Sequence, residues 1–149
     1  MALSGLHVNV TEPREFFLHS MVQHIGRRLT LKQTANNTFI IGGGWPSRAE
    51  KFPLRYSNIW ESAAGNAAVA VRVLPMLKDV QLVRVWSGVW AYTNDFKPIL
   101  GESEKIPGYH IAMVPTGFTL GPMVSKMLAE YMTQPGTQNL LPKEFHVDR

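Results

Sequence analysis

Two segments in the first forty residues alternate apolar and polar positions, a pattern typical of strands that are buried on one face. In Leu6–Val10, three apolar residues alternate with His7 and Asn9, which predicts a half-buried strand. Arg28–Thr34 repeats the alternation through Leu29 and Leu31, and Thr38–Ile41 follows an Asn-Asn turn, which predicts a hairpin. The segment between the first strand and this hairpin fits either a short helix or an irregular apolar stretch.

In the middle of the chain, the spacing of the apolar residues changes to that of a helix. Asn58 followed by Glu61 resembles an asparagine form of the capping box, which predicts a helix start there. Gly65 lies inside this helix, where glycine costs about 1 kcal/mol relative to alanine, so we expect a packing reason for it. Apolar residues recur every three or four positions up to Pro75 and predict one amphipathic face: Ile59, Ala63, Ala67, Ala70 and Leu74.

The second half of the chain predicts short strands followed by a second helix. Val83–Gly88 is rich in β-branched and aromatic residues, and Thr93–Asp95 has the composition of a turn. Ile99–Gly101 and Tyr109–Val114 are short apolar runs that end in glycine or proline. Together with the first half, these elements predict an α+β fold with a mixed sheet and packed helices.

A glycine turn, Gly117–Gly121, leads into the predicted helix Met123–Met132, with Pro122 at its first position. Such a turn lets the backbone approach a ligand closely, and the helix start offers free N–H groups and a partial positive charge. An ordinary connection between a strand and a helix has the same pattern. The run Gly42–Pro46 is open to two interpretations as well: a ligand-lining loop with Trp45 as a wall, or a bend with Trp45 in the core.

Composition and charge argue against several classes of function. The 149 residues carry a net charge of +4, but the basic residues are scattered among acidic ones, so we do not predict nucleic-acid binding. No apolar run approaches a membrane span, and the N-terminus lacks the pattern of a secretory signal, so we expect a cytoplasmic protein without membrane contact. The five histidines show no metal-ligand spacing, and the absence of cysteine excludes thiolate sites.

An ordered set of short motifs resembles the D-amino-acid-oxidase-like FAD-dependent oxidoreductases, which include glycine and sarcosine oxidases and dehydrogenases. The motifs are Val85–Val89 (VWSGV), Thr93–Asp95 (TND), Lys97–Gly101 (KPILG), the Gly117–Gly121 turn (GFTLG) and the tail Phe145–Arg149 (FHVDR). Each motif is short, but their order along nearly the whole chain is fairly specific.

The resemblance implies only the last part of the family polypeptide. Residues 1–82 would be a portion of the substrate domain, and residues 83–149 the strand-turn-helix segment that returns to the flavin. The Gly-x-Gly-x-x-Gly fingerprint of the nucleotide-binding half is absent from the sequence. The implied cofactor is therefore FAD, held only together with a missing N-terminal half, and held noncovalently because Gly88 falls where some members attach flavin through cysteine.

The resemblance also implies roles for particular residues. The backbone of Gly117, Phe118, Thr119, Leu120 and Gly121 would face the edge of the flavin. Trp90 falls where glycine-oxidase-like members carry an arginine for the substrate carboxylate, so an aromatic wall for a bulkier or secondary amine is expected there, with Trp45 and Tyr92 as further substrate contacts. No catalytic acid or base is indicated.

Two function hypotheses follow. The first is a C-terminal part or subunit of an FAD-dependent oxidoreductase that oxidises an amine or amino acid by hydride transfer and needs an N-terminal FAD-binding partner. The second is a noncatalytic fragment or interaction module of the same fold that binds no flavin alone and self-associates through open sheet edges.

Overall fold

The computed structural model describes residues 2–50, 55–137 and 141–149. Over these residues the chain has a mixed α+β architecture with antiparallel sheets and two α-helices, which confirms the predicted class. It forms two compact units. The larger contains residues 4–90, and the smaller contains residues 91–149 with Ala2 and Leu3.

The element bounds are as follows for the described residues. The strands are β1 (Ala2–Pro13), β2 (Val22–His24), β3 (Leu29–Gln33), β4 (Thr38–Gly42), β5 (Arg48–Glu50), β6 (Arg55–Ser57), β7 (Leu82–Tyr92), β8 (Ile99–Glu102) and β9 (His110–Met113). The α-helices are α1 (Trp60–Val73) and α2 (Gly117–Thr133). Short 3₁₀ helices are Ile25–Arg27, Pro75–Asp79 and Lys143–Phe145.

The larger unit is built on a five-stranded sheet in the order β2-β3-β4-β1-β7. The predicted hairpin is present as β3 and β4, with Leu31 opposite Ile41. Helix α1 packs on one face of these two strands. The core lies between the helix and the sheet and contains Leu29, Leu31, Phe39, Ile41, Ala70 and Leu77, all almost fully buried.

Strand β1 reverses the predicted orientation of its side chains. His7, Asn9 and Thr11 are almost fully buried, whereas the apolar residues between them are only half-buried. Asn9 pairs with Ile41 in the register and therefore lies on the core face. The polar side chains are accepted there because they bind backbone: Asn9 Nδ2 donates to Ala63 O at 3.1 Å, and Thr11 Oγ1 accepts from Phe39 N at 2.9 Å.

The segment after β1 forms no helix. Residues 14–20 are irregular and lead into β2 and the 3₁₀ helix Ile25–Arg27. The buried side chain of Gln33 organises this segment, because its Oε1 accepts from the amides of Phe17 and Leu18 at 3.1 Å each. Its Nε2 donates to Arg14 O and Glu15 O at 3.0 Å each. One buried amide thus replaces the backbone pairing that a helix would provide.

Helix α1 is present as predicted, but its predicted cap is wrong. The N-cap is Ile59, which has no side-chain capping bond. The side chain of Asn58 instead donates to Val85 O at 3.1 Å and accepts from Ser87 Oγ at 2.7 Å, so it holds the helix start to β7. The expected packing reason for Gly65 is confirmed: an added Cβ would lie 2.6 Å from the ring of Trp45.

In the smaller unit, β8 and β9 form an antiparallel pair that contacts α2. The C-terminal tail docks on this pair, since His146 bridges to Leu100 and Asp148 Oδ2 accepts from Glu104 N at 2.6 Å. Arg149 completes the attachment by donating to Pro98 O at 2.6 Å and to both carboxylate oxygens of Asp95 at 3.1 Å.

Candidate functional site

The predicted glycine turn is the first turn of α2. The helix begins at Gly117, so Pro122 lies inside it and not at its first position, which corrects the predicted helix start. The amides of Thr119 and Leu120 both donate to Thr116 O at 3.0 Å. This pair of bonds closes the helix several residues earlier than the proline pattern suggested. The N–H groups of the helix start that precede these two bonds therefore belong to Gly117 and Phe118.

The start of α2 is open to solvent. Phe118 is fully exposed, and Leu120 and Met123 are largely exposed. A Cβ added at Gly117 or Gly121 would meet no atom within 4 Å. In the smaller unit, an apolar helix start with accessible backbone therefore remains where the sequence predicts a cofactor contact.

Trp90, one of the predicted substrate contacts, lines an open cleft of about 470 Å³ in the larger unit. Gln23, Arg28 and Thr30 contribute polar groups to the same cleft. Leu6, His24, Ile25, Leu29, Gly43 and Gly44 complete the lining. The sequence predicted no ligand-binding residue in β2 or β3, because these strands lie close to Trp90 only in the folded chain.

Trp45 is not among the residues that line this cleft. Its half-buried ring lies against Gly65 of α1, which agrees with the structural interpretation of the Gly-Gly-Gly-Trp-Pro bend. Its indole Nε1 donates to Arg28 O at 2.8 Å. The third predicted contact, Tyr92, belongs to the smaller unit and stacks on Phe96 with ring centroids 5.7 Å apart.

Two ionisable groups have shifted pKa values. Burial lowers the pKa of His7 from its ordinary value of 6.5, and the nearby Pro46 carbonyl, 3.4 Å from Nδ1, opposes the shift. The pKa of Asp95 is lowered, first by the hydrogen bond from the Lys97 amide and then by Thr93 and Arg149. Asp95 is thus an ionised anchor for the tail, in the smaller unit.

Within residues 2–50, 55–137 and 141–149, no group of three or more His, Cys, Asp or Glu side chains is arranged to hold a metal ion. In the same residues, neither helix combines the length and apolarity needed to cross a membrane.

The family model described as "FAD dependent oxidoreductase" matches residues 2–131. The chain therefore belongs to this family of FAD-dependent oxidoreductases. One of the subunits of opine oxidase from Agrobacterium tumefaciens (strain Ach5) is 36% identical over 66 residues, which are 44% of this chain and 18% of that protein. The HcnC subunit of hydrogen cyanide synthase from Pseudomonas aeruginosa is 34% identical over 79 residues, 53% of this chain and 18% of that protein.

The fold is also found among solved structures. Iminodiacetate oxidase from Chelativorans sp. BNC1 superposes with a TM-score of 0.77 at 15% identity, over 97% of this chain and 39% of that one. The matched regions thus span less than a fifth of each curated relative and about two fifths of the iminodiacetate oxidase chain.

Proposed function

We propose that the chain is the C-terminal part or subunit of an FAD-dependent oxidoreductase that oxidises an amine or amino acid by hydride transfer to flavin. The observation that carries the proposal is the family match over residues 2–131 together with the small share of the relatives that this chain spans. The nucleotide-binding half, with its Gly-x-Gly-x-x-Gly fingerprint, would lie outside these 149 residues, in a partner subunit or in another part of the same polypeptide.

The start of α2 fits a flavin. FAD would supply the hydride acceptor for the oxidised carbon–nitrogen bond. The N–H groups of Gly117 and Phe118, which precede the first intrahelical bonds, would stabilise the negative charge that reduction places on the ring edge, because a helix start carries a partial positive charge. The two open glycines leave space for a planar ring at the backbone. Attachment would be noncovalent, since Gly88 falls where some members attach flavin through cysteine.

Residues 1–82 would contribute the substrate side of the enzyme and residues 83–149, apart from Trp90, the flavin side. Trp90 would form the aromatic wall of the substrate site, and Trp45 would hold the neighbouring Arg28 through its indole N–H. Because no general base is indicated, we propose that the amine binds unprotonated and that its own lone pair assists the hydride transfer.

The partner would be an N-terminal FAD-binding polypeptide, and the names of both curated relatives describe subunits. Strand β7 supports this proposal. In the described part of the chain it is an outer strand of the larger sheet, and Val83, Trp86 and Val89 on it are exposed. A long apolar outer strand is a ready surface for another chain.

The test is reconstitution. The chain is coexpressed with the polypeptide encoded beside it that carries a Gly-x-Gly-x-x-Gly fingerprint, and the tagged complex is purified and scanned for a flavin absorption spectrum. We expect a yellow complex and a colourless chain when it is expressed alone. A colourless complex of the two chains would contradict the proposed function.

The alternative is a noncatalytic interaction module of the same fold. The exposed apolar outer strand β7 favours it too, because such a strand pairs with a second copy when no other partner is present. Light scattering and an FAD titration on the chain alone distinguish the two. A stable oligomer that never binds flavin, even with the candidate partner, would favour the module.

A further inference from the structure

We propose that Arg28 binds the carboxylate of the substrate in the cleft beside Trp90, so that the substrate class is amino acids with an aromatic or otherwise bulky group, not simple amines. The substrate role rests on the proposed function. Carboxylate binding itself is a property of residues 4–90 and can be tested without flavin.

The backbone of Arg28 is held in an unusual conformation. Its φ of 51° and ψ of 58° lie in the left-handed region, where a residue other than glycine or asparagine is strained. Its own N–H donates to Ile25 O at 3.1 Å, and its carbonyl accepts from the indole of Trp45 at 2.8 Å. Strained residues held by their surroundings are frequent at binding sites, which makes the side chain at this position a candidate.

Gly43 also holds the backbone of Arg28 in this conformation. A Cβ at this position would lie 2.2 Å from Arg28 O, and Gly43 itself has a φ of 125°. Only glycine can let the two backbones meet so closely. The triple-glycine run identified in the sequence is therefore explained, at this residue, by the need to position Arg28 at the cleft.

The charge of the cleft fits an anion. None of its ten lining residues is Asp or Glu, and Arg28 forms no salt bridge in the described part of the chain. A guanidinium binds a carboxylate through two parallel hydrogen bonds, which gives direction as well as affinity. The hydroxyl of Thr30 and the amide of Gln23 are nearby polar groups that can accept a hydrogen bond from an amine.

The apolar part of the cleft favours a bulky ligand. The ring of Trp90 and the side chains of Leu6 and Ile25 offer an apolar wall on the same cleft as Arg28. A volume of about 470 Å³ is in the range of small-molecule sites. A free amino acid with an aromatic substituent would bring its carboxylate to Arg28 and its ring to Trp90. Inorganic phosphate shares the charge but lacks the ring.

The experiment measures binding to the isolated chain by NMR, following the indole N–H signals during titration. N-phenylglycine is the probe. N-methylaniline, which keeps the ring and the amine but lacks the carboxylate, is its matched control. We expect saturable shifts with N-phenylglycine and at least about tenfold weaker binding of N-methylaniline, the loss of a charged hydrogen bond.

Two variants test the residue. Arg28→Asn removes the guanidinium but tolerates the left-handed backbone, so the fold is kept, and it should weaken N-phenylglycine binding by about tenfold or more. Arg27→Asn, which changes the adjacent arginine outside the cleft, should leave binding unchanged. Equal losses in both variants, no saturable binding by the unmodified chain, or displacement by inorganic phosphate at equal concentration would each overturn the proposal.

The outcome is separable from that of the proposed function. A chain that binds N-phenylglycine through Arg28 but yields a colourless reconstituted complex would retain the carboxylate site and lose the flavin role. A flavin-containing complex whose N-phenylglycine affinity is unaffected by Arg28→Asn would keep the oxidoreductase proposal and remove this one.

Discussion

Trp45 links two features that are far apart in the sequence. Its ring packs against Gly65 of α1, and its indole N–H holds the carbonyl of Arg28. The absence of a side chain at Gly65 is what permits the ring to lie close against the helix, so the helix position and the Arg28 bend are coupled through one residue. Substitution of Gly65 should therefore affect more than the helix.

We predict that Gly65→Ala destabilises the chain. Alanine gains about 1 kcal/mol of helix propensity, but its Cβ would lie 2.6 Å and 2.9 Å from two ring carbons of Trp45. Overpacking of this kind costs about 1–3 kcal/mol, so we expect a net loss of about 1 kcal/mol in urea unfolding. In a Trp45→Leu background the sign should reverse, because the clash is removed. A stabilised single variant would contradict this packing.

His7 makes stability depend on pH. Its side chain is 1% exposed, and its Nε2 is buried without a hydrogen-bond partner among the described residues. Because folding lowers its pKa below 6.5, the unfolded chain binds the proton more readily. The stability that the neutral, buried His7 contributes is fully present above the pKa that His7 has in the unfolded chain. It decreases as the pH falls through that value toward the folded pKa.

We therefore predict that the free energy of unfolding decreases between about pH 7.5 and about pH 5.5 and that His7→Gln reduces this decrease. The measurement is urea unfolding at a series of pH values. His19→Gln, at an exposed histidine, is the control and should keep the pH dependence of the unmodified chain. If both variants retain the same slope, His7 is not the group responsible.

At the scale of elements, α2 is a helix with little of its surface covered. Val124 is its one buried residue among those described, while Phe118, Met123 and Met132 are exposed. Such a helix gains little from packing within the chain, and its exposed apolar start is the part that the proposed function uses.

We predict that the double variant Gly117→Ala and Gly121→Ala separates folding from flavin binding. Neither Cβ meets an atom within 4 Å, and alanine favours the helix at Gly121 by up to about 1 kcal/mol, so the isolated chain should be at least as stable. In the reconstituted complex, a methyl group at the flavin edge should weaken flavin affinity about tenfold, equivalent to about 1.4 kcal/mol. Ser125→Ala on the same helix is the control. Unchanged flavin affinity would remove this helix start from the proposed site.

The sequence predicted the types of element better than their orientation or ends. The period of α1 and the β3–β4 hairpin are local signals, and both are confirmed. The buried face of β1 was wrong because alternation favours burial of the apolar face, whereas the polar face is buried here and Asn9 is paired by residues of α1 that are distant in sequence. The Arg28 cleft was missed for the same reason, since its lining comes from β1, β2, β3, β7 and the glycine bend.

At the scale of the whole molecule, the larger unit leaves an apolar surface uncovered. Val83 and Leu82 of β7 and Trp60 of α1 are exposed and line a cleft of about 370 Å³ that contains one charged residue, Arg84. Exposed apolar surface of this kind is typical of an interaction site. Under the proposed function, the FAD-binding partner would cover this surface.

We predict that Val83→Lys prevents association with the FAD-binding partner without unfolding the chain. Val83 is 62% exposed, so lysine is tolerated in the isolated chain and the thermal midpoint should not change measurably. In a complex, the ammonium would be buried against apolar residues without a counter-charge, which should reduce copurification about tenfold or more. Met132→Lys, at the exposed end of α2, is the matched control. A Val83→Lys chain that still copurifies in full would place the partner interface elsewhere, while loss of association in both variants would indicate a general effect of added charge.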